Sequence, residues 1–225
     1  MPVVKSYNKD FFKTWSSDMA YILGFLYADG SIVETKRGTH FVALYIADED
    51  ILLAMRVCFG SDHKISKRSA ATGSVYRIQI GSSEWFDDLG RLGLLPNKTK
   101  RMLVPVVPKK FFGDFIRGYF DGDGNVWSGF IHKDRRNPTL VLQVSFTSGS
   151  KDFLCSLRTD LQKHGVVGGG IYEPKKGNFA RLIFSSTDAL IIQKIMYNAE
   201  HKLFLKRKKA VFDKFIHNCG GSSTG

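Results

Sequence analysis

Two nine-residue stretches of this chain are near copies, Ile22–Gly30 (ILGFLYADG) and Ile116–Gly124 (IRGYFDGDG), set 94 residues apart. Each offers a small residue, a second small residue four positions on, and then Asp-Gly. On a helix those two small residues share a face, so Gly24 with Ala28 and Gly118 with Gly122 make flat strips on which a second backbone can lie close. The spacing predicts two helices packed through these strips, each closed by a glycine in a left-handed cap, with Asp29 and Asp123 side by side if the helices run parallel. A helix C-terminus disfavours a carboxylate by about 0.3 to 1 kcal/mol, and a second carboxylate beside it adds to the cost. A divalent cation supplies the missing charge. Paired carboxylates with open oxygens suit Mg²⁺, with Mn²⁺ or Ca²⁺ as other occupants and with Ala28 and Gly122 as adjoining ligands. Two glycine-capped amphipathic helices would explain one copy, but not two that agree at the small positions and at Asp-Gly. Asp121 sharpens the choice: its counterpart is Tyr27, so only Asp29 and Asp123 form a symmetric pair.

Charge points to the partner. Lys plus Arg number 33 against 21 Asp plus Glu, a formal charge of +12, which suits a polyanion such as DNA, RNA or an acidic membrane surface. No run approaches the ~18 continuous apolar residues of a membrane span, and the N-terminus lacks a signal-peptide core. The expectation is an intracellular protein with no membrane association, in the cytoplasm of a prokaryote or an organelle. The three cysteines, Cys58, Cys155 and Cys219, lie far apart without paired spacing, which excludes a zinc finger or a disulfide framework.

The internal repeat divides the chain into two similar halves: residues 1–92, a linker over 93–110 marked by Pro96, Pro105 and Pro108, a second half over 111–219, and a flexible tail over 220–225. The first half reads as a helix over 17–29, a hairpin over 31–47, a helix over 49–59, a hairpin over 63–80 and a helix over 83–92. The second repeats this order, with strands near 125–132 and 139–147, a helix over 151–164, a further hairpin opening at Gly168 to Gly170, and a helix over 188–197. A last helix over 202–217 closes the chain. Helices beside two hairpins per half imply an α+β architecture of two pseudo-symmetric αββαββα repeats joined through the twin helices. Each sheet would be covered on one face and free on the other, and together the free faces make a long concave basic surface that suits a DNA groove.

Alternation selects candidate contacts on that surface. Arg77 and Gln79 share a strand face opposite Tyr76, Ile78 and Ile80, Gln143 and Ser145 alternate with apolar neighbours, and Arg181 stands among Leu182, Ile183 and Phe184. Arg and Gln are plausible base readers because each can make two bonds to one base edge. The basic residues at hairpin tips, Lys36, Arg37, Lys133, Arg135, Arg136, Lys175 and Lys176, with Lys64, Lys67 and Arg68, are assigned to phosphates.

At the twin motifs the chain resembles the LAGLIDADG homing endonucleases in their single-chain, two-motif form. It departs from the family string at Tyr27 and at Ile116-Arg117, neither of which is the position of the metal-binding acid, so the resemblance carries that role to Asp29 and Asp123. It implies a saddle-shaped DNA-binding sheet and a site-specific endonuclease that hydrolyses both strands of a long asymmetric target, ~20 base pairs if each half covers a helical turn. It further implies a monomer with no obligate protein partner, encoded within an intron or intein, and a basic residue near the acids, for which Lys98 and Lys208 are the candidates. The alternatives are an RNA-splicing maturase or a non-cleaving DNA-binding regulator of the same fold. A packaging protein that binds nucleic acid by charge alone would need no acid pair.

Overall fold

The computed structural model describes residues 5–70, 73–96 and 102–220. The first half runs α1 (Ser17–Asp29), β1 (Gly30–Glu34), β2 (His40–Ile46), α2 (Glu49–Cys58), β3 (Ser66–Ala70), β4 (Gly73–Gly81) and α3 (Ser83–Arg91). After a 3₁₀ turn at Lys109–Phe111, the second half runs α4 (Phe112–Asp123), β5 (Gly124–Ile131), β6 (Thr139–Ser148), α5 (Lys151–Gln162), β7 (Gly170–Tyr172), β8 (Ala180–Ser185) and α6 (Thr187–Met196), followed by α7 (Lys206–Gly220). Each half forms one antiparallel four-stranded sheet, ordered β1-β2-β4-β3 and β5-β6-β8-β7.

The α+β architecture and the repeat order are those expected from the sequence. Ser16, Ser82 and Ser150 start α1, α3 and α5 by accepting a bond from the backbone N–H three residues on, which satisfies one of the helix's open donors. Period-two alternation buries one face of each sheet: Val42, Leu44, Ile78 and Ile80 in the first half, Leu142, Val144, Phe146, Leu182 and Phe184 in the second. Helices cover that face and the other is left to solvent.

α1 and α4 are buried along almost their whole length and cross at their glycines. A Cβ on Gly24 would overlap the Phe115 carbonyl oxygen and stand 2.9 Å from the Tyr119 nitrogen, and a Cβ on Gly118 would overlap the Tyr21 carbonyl oxygen and stand 3.0 Å from the Phe25 nitrogen. Backbone therefore touches backbone. Farther along, Gly122 faces Ala28, so both chains advance in the same direction and the two helices are parallel.

Two expectations need correction. Gly30 and Gly124 are extended, at φ −88° and −91°, and not left-handed caps. Glycine is required there by space: a Cβ on Gly30 would lie 2.6 Å from Leu26 Cα, and one on Gly124 would lie 2.7 Å from Phe120 Cα, because each chain turns directly from helix into strand. The last helix begins at Lys206, not near 202. Leu203 and Leu205 are buried in an extended approach whose backbone is held by α4: the Leu203 carbonyl accepts from Arg117 and the Leu205 N–H donates to Asp121.

Candidate active site and nucleic-acid interface

Because α1 and α4 are parallel and in register, their last residues, Asp29 and Asp123, reach the same end of the helix pair. The Asp29 carboxylate lies against α4: a Cβ on Gly122 would stand in ordinary contact with its Oδ2, at 3.4 Å, while it would overlap the Ala28 Cβ, so glycine here answers the close approach of Ala28. Both carboxylates act on the same two neighbours, pushing the buried Tyr119 phenol further above its ordinary range after burial itself, and opposing the fall in the Lys208 pKa. Asp29 is exposed and Asp123 half-buried.

Lys208 sits behind this pair. Its ammonium donates to the carbonyls of Phe120, Asp121 and Gly124 at 2.6, 2.8 and 2.7 Å, and it is 6% exposed. The cation caps the negative end of α4, where backbone acceptors have no intrahelical partner. Burial pulls its pKa down to about 8, with Asp121, Asp29 and Asp123 acting in the opposite direction and Arg207 in the same one. Lys208, one of the two basic candidates, is thus buried at the end of α4 with its ammonium held by backbone carbonyls. Lys98, its proposed counterpart, lies outside the described residues.

Asp121 has a different task. It is 1% exposed, and its Oδ2 accepts bonds from the Tyr21 hydroxyl at 2.7 Å and the Leu205 N–H at 2.8 Å. Its counterpart Tyr27 donates its hydroxyl to the Leu92 carbonyl at 2.8 Å. In each half the residue two before the acid thus ties the central helix to the connection that follows the last sheet helix. Arg117 was legible only as a departure from an apolar pattern. It is 1% exposed and holds Met196 and Leu203 carbonyls and Asp114, which docks the approach to α7.

Ladder register settles which side chains share the free sheet faces. Arg77 and Gln79 lie opposite Tyr45 and Ala43, and Gln143 lies between Trp127 and Ser185. Arg181 lies between Thr147 and Tyr172. The tip residues Lys36, Arg37, Lys133, Arg135, Arg136, Lys175 and Lys176 are exposed, as are Lys64 and Arg68. Ser145 shares the face of Gln143 but is buried, 8% exposed, between Asn125 and Ile183 in the ladder. Lys67 is exposed, pairs with Tyr76 and lies over that ring, on the side of the sheet opposite Arg77. Sequence reasoning passed over the aromatic share of these faces. Tyr45, Trp127 and Tyr172 are exposed on them, which the same period-two alternation could have revealed.

Among the described residues no three His, Cys, Asp or Glu side chains converge. A closed transition-metal cage is therefore not formed by them, whereas two carboxylates fit a hard cation that keeps water and takes its remaining oxygens from a phosphate. No helix among these residues is long and apolar enough to cross a membrane.

Residues 113–197 match the model of the LAGLIDADG-like domain. Among curated proteins, 212 residues are 28% identical to DNA-directed RNA polymerase subunit Rpo1C of Methanocaldococcus jannaschii, covering 92% of this chain but only 22% of that one. The fold is similar to that of I-SmaMI bound to cleaved DNA, with a TM-score of 0.62 and 12% identity over 94% of this chain and 93% of that one. I-SmaMI bound to uncleaved DNA with calcium ions gives 0.60 at 13% identity, covering 94% and 95%. I-LtrWI bound to its target DNA gives 0.60 at 13% identity, covering 96% and 92%. Residues 113–197 thus match a LAGLIDADG-like domain, and the chain's two-repeat fold is similar to that of the solved LAGLIDADG homing endonucleases.

Proposed function

We propose that the protein is a site-specific endonuclease that cuts both strands of a long, asymmetric double-stranded DNA target with the help of a divalent cation. The observation that carries this reading is the delivery of Asp29 and Asp123 to one end of a parallel helix pair, where helix polarity disfavours both charges. A packaging protein that binds by charge alone has no use for that arrangement. Likeness to enzymes described with cleaved DNA and with calcium ions supports the same chemistry.

Asp29 and Asp123, with the adjoining Ala28 and Gly122, would hold the ion, Mg²⁺ by preference. The ion supplies activation of water for in-line attack on a phosphodiester and neutralises the leaving oxygen. The chain's own residues do the rest. Lys208 fixes the end of α4 and tempers the field of the paired acids. The free sheet faces bind the duplex through Arg77, Gln79, Gln143 and Arg181, while the exposed lysines and arginines of the hairpin tips neutralise phosphates. One chain supplies both halves of the site, so a monomer suffices. Resemblance of nearly the whole chain to about 22% of a much longer polymerase subunit supports a module carried inside other coding sequences, as in intron or intein homing.

Asp29→Asn and Asp123→Asn test the reading. Each keeps the side chain's shape and removes a charge that opposes the helix terminus, so folding and DNA binding should persist. Cleavage in Mg²⁺ should be abolished or reduced to slow nicking. Parental cleavage by either variant would refute the paired-acid mechanism, whereas a parent protein that binds its site in Mg²⁺ without cutting it would make a DNA-binding regulator the better reading.

A further inference from the structure

The sheet register reveals an equivalence that residue numbering hides. Gly30 pairs with Leu44, which pairs with Ile78, and Asp29 and Arg77 are the residues immediately before Gly30 and Ile78 on strands that run the same way. In the second half Gly124 pairs with Phe146, which pairs with Leu182, and Asp123 and Arg181 stand immediately before Gly124 and Leu182. Arg77 and Arg181 are therefore related by the same pseudo-symmetry as the two acids, although they lie 104 residues apart where the acids lie 94 apart. The longer β5–β6 hairpin absorbs eight of those ten residues, and the segment from β6 to β8 absorbs the other two.

Each arginine sits two strands from its acid, on the row level with it. At ~4.8 Å between neighbouring strands this places the two backbones ~10 Å apart, a gap that an extended arginine and one phosphate can fill. Both guanidinium groups are seated on a ring: that of Arg77 is 5.5 Å from the centre of Tyr45, directly across the ladder, and that of Arg181 is 5.1 Å from the centre of Phe179. A ring face holds a guanidinium in place without neutralising it. The ion pairs among the described residues use neither. Residues that read bases in the outer arms of a target would be placed toward the far ends of the strands, away from the acids.

We infer that Arg77 and Arg181 are a pseudo-symmetric pair that grips the DNA backbone at the cleavage centre, each holding the strand cut beside the acid of its own half. This rests on the nuclease reading. A planar, permanently charged fork suits a phosphate that must be held still while its neighbour is attacked.

The test follows strands separately. A duplex recovered by the parent protein from a plasmid library of randomised sites in Mg²⁺ is labelled differently on its two strands. Arg77→Ala should slow cleavage of one strand by about tenfold or more, leaving the other strand and the base preferences unchanged. Arg181→Ala should do the same to the opposite strand. Arg77→Lys and Arg181→Lys, which keep the charge and lose the fork, should show the same strand assignment with smaller effects, and they carry the test should an alanine variant fail to fold. Equal slowing of both strands, or relaxed base preference with both cutting rates intact, overturns the assignment while leaving the endonuclease standing. A parent protein that cuts no member of the library in Mg²⁺ or Mn²⁺ overturns both.

Discussion

At the scale of single residues, the motif's three carboxylates divide by environment. Asp29 and Asp123 end their helices at the surface, whereas Asp121 is enclosed, and burial raises its pKa against the opposing pull of the Tyr21 hydroxyl and the Lys208 cation. Lys208 shows the converse. Its pKa in the folded chain, about 8, is below the 10.5 of a free lysine, so between those values the unfolded chain binds the proton and the folded chain releases it. Stability contributed through this group therefore rises as pH increases across that window, and the cost of burying the charge is fully present below it. Lys208→Met should be destabilised at neutral pH by about 1 to 3 kcal/mol or more, because three buried carbonyls lose their donor. It should also lose the parent's gain in stability between pH 8 and 10.5. Denaturant melts of the two proteins across that range measure both, and parallel pH curves would refute the assignment.

At the scale of elements, the central event is the approach of α1 to α4 through Gly24 and Gly118. Leucine at either position must force two backbones apart, and overpacking costs about 1 to 3 kcal/mol or more. Gly24→Leu and Gly118→Leu should each lower the melting temperature and the cleavage rate together, since the acids ride on the same helices. Unchanged melting and activity in both would show that the helices do not meet there. The small residues and Asp-Gly endings were readable in advance because close approach leaves few chemical choices, and strands were readable because each sheet has one buried face. The extended conformations of Gly30 and Gly124 were not, since a glycine that avoids a clash and a glycine that adopts positive φ are spelled alike. Nor was the burial of Ser145, which depends on what its ladder neighbours Asn125 and Ile183 bring to the row.

At the scale of the whole molecule, the two halves resemble each other more than they can replace each other. The acids repeat at one offset and the row of Arg77 and Arg181 at another, so the likeness of the halves was legible and their alignment beyond the helices was not. The Tyr21 hydroxyl that meets Asp121 has its counterpart in Phe115, which has no hydroxyl to offer. Two copies of the second half, paired through α4, would set Phe115 at the place of Tyr21 and leave each enclosed Asp121 carboxylate short of a donor, at a cost of about 1 to 3 kcal/mol per copy. Residues 102–220 expressed alone should accordingly stay monomeric in sedimentation, associate with a fragment carrying the first half, and gain self-association on Phe115→Tyr. A self-associated fragment without that substitution would refute this. One phenolic oxygen thus distinguishes self from mate: the fold tolerates a union of unlike halves and penalises a union of twins.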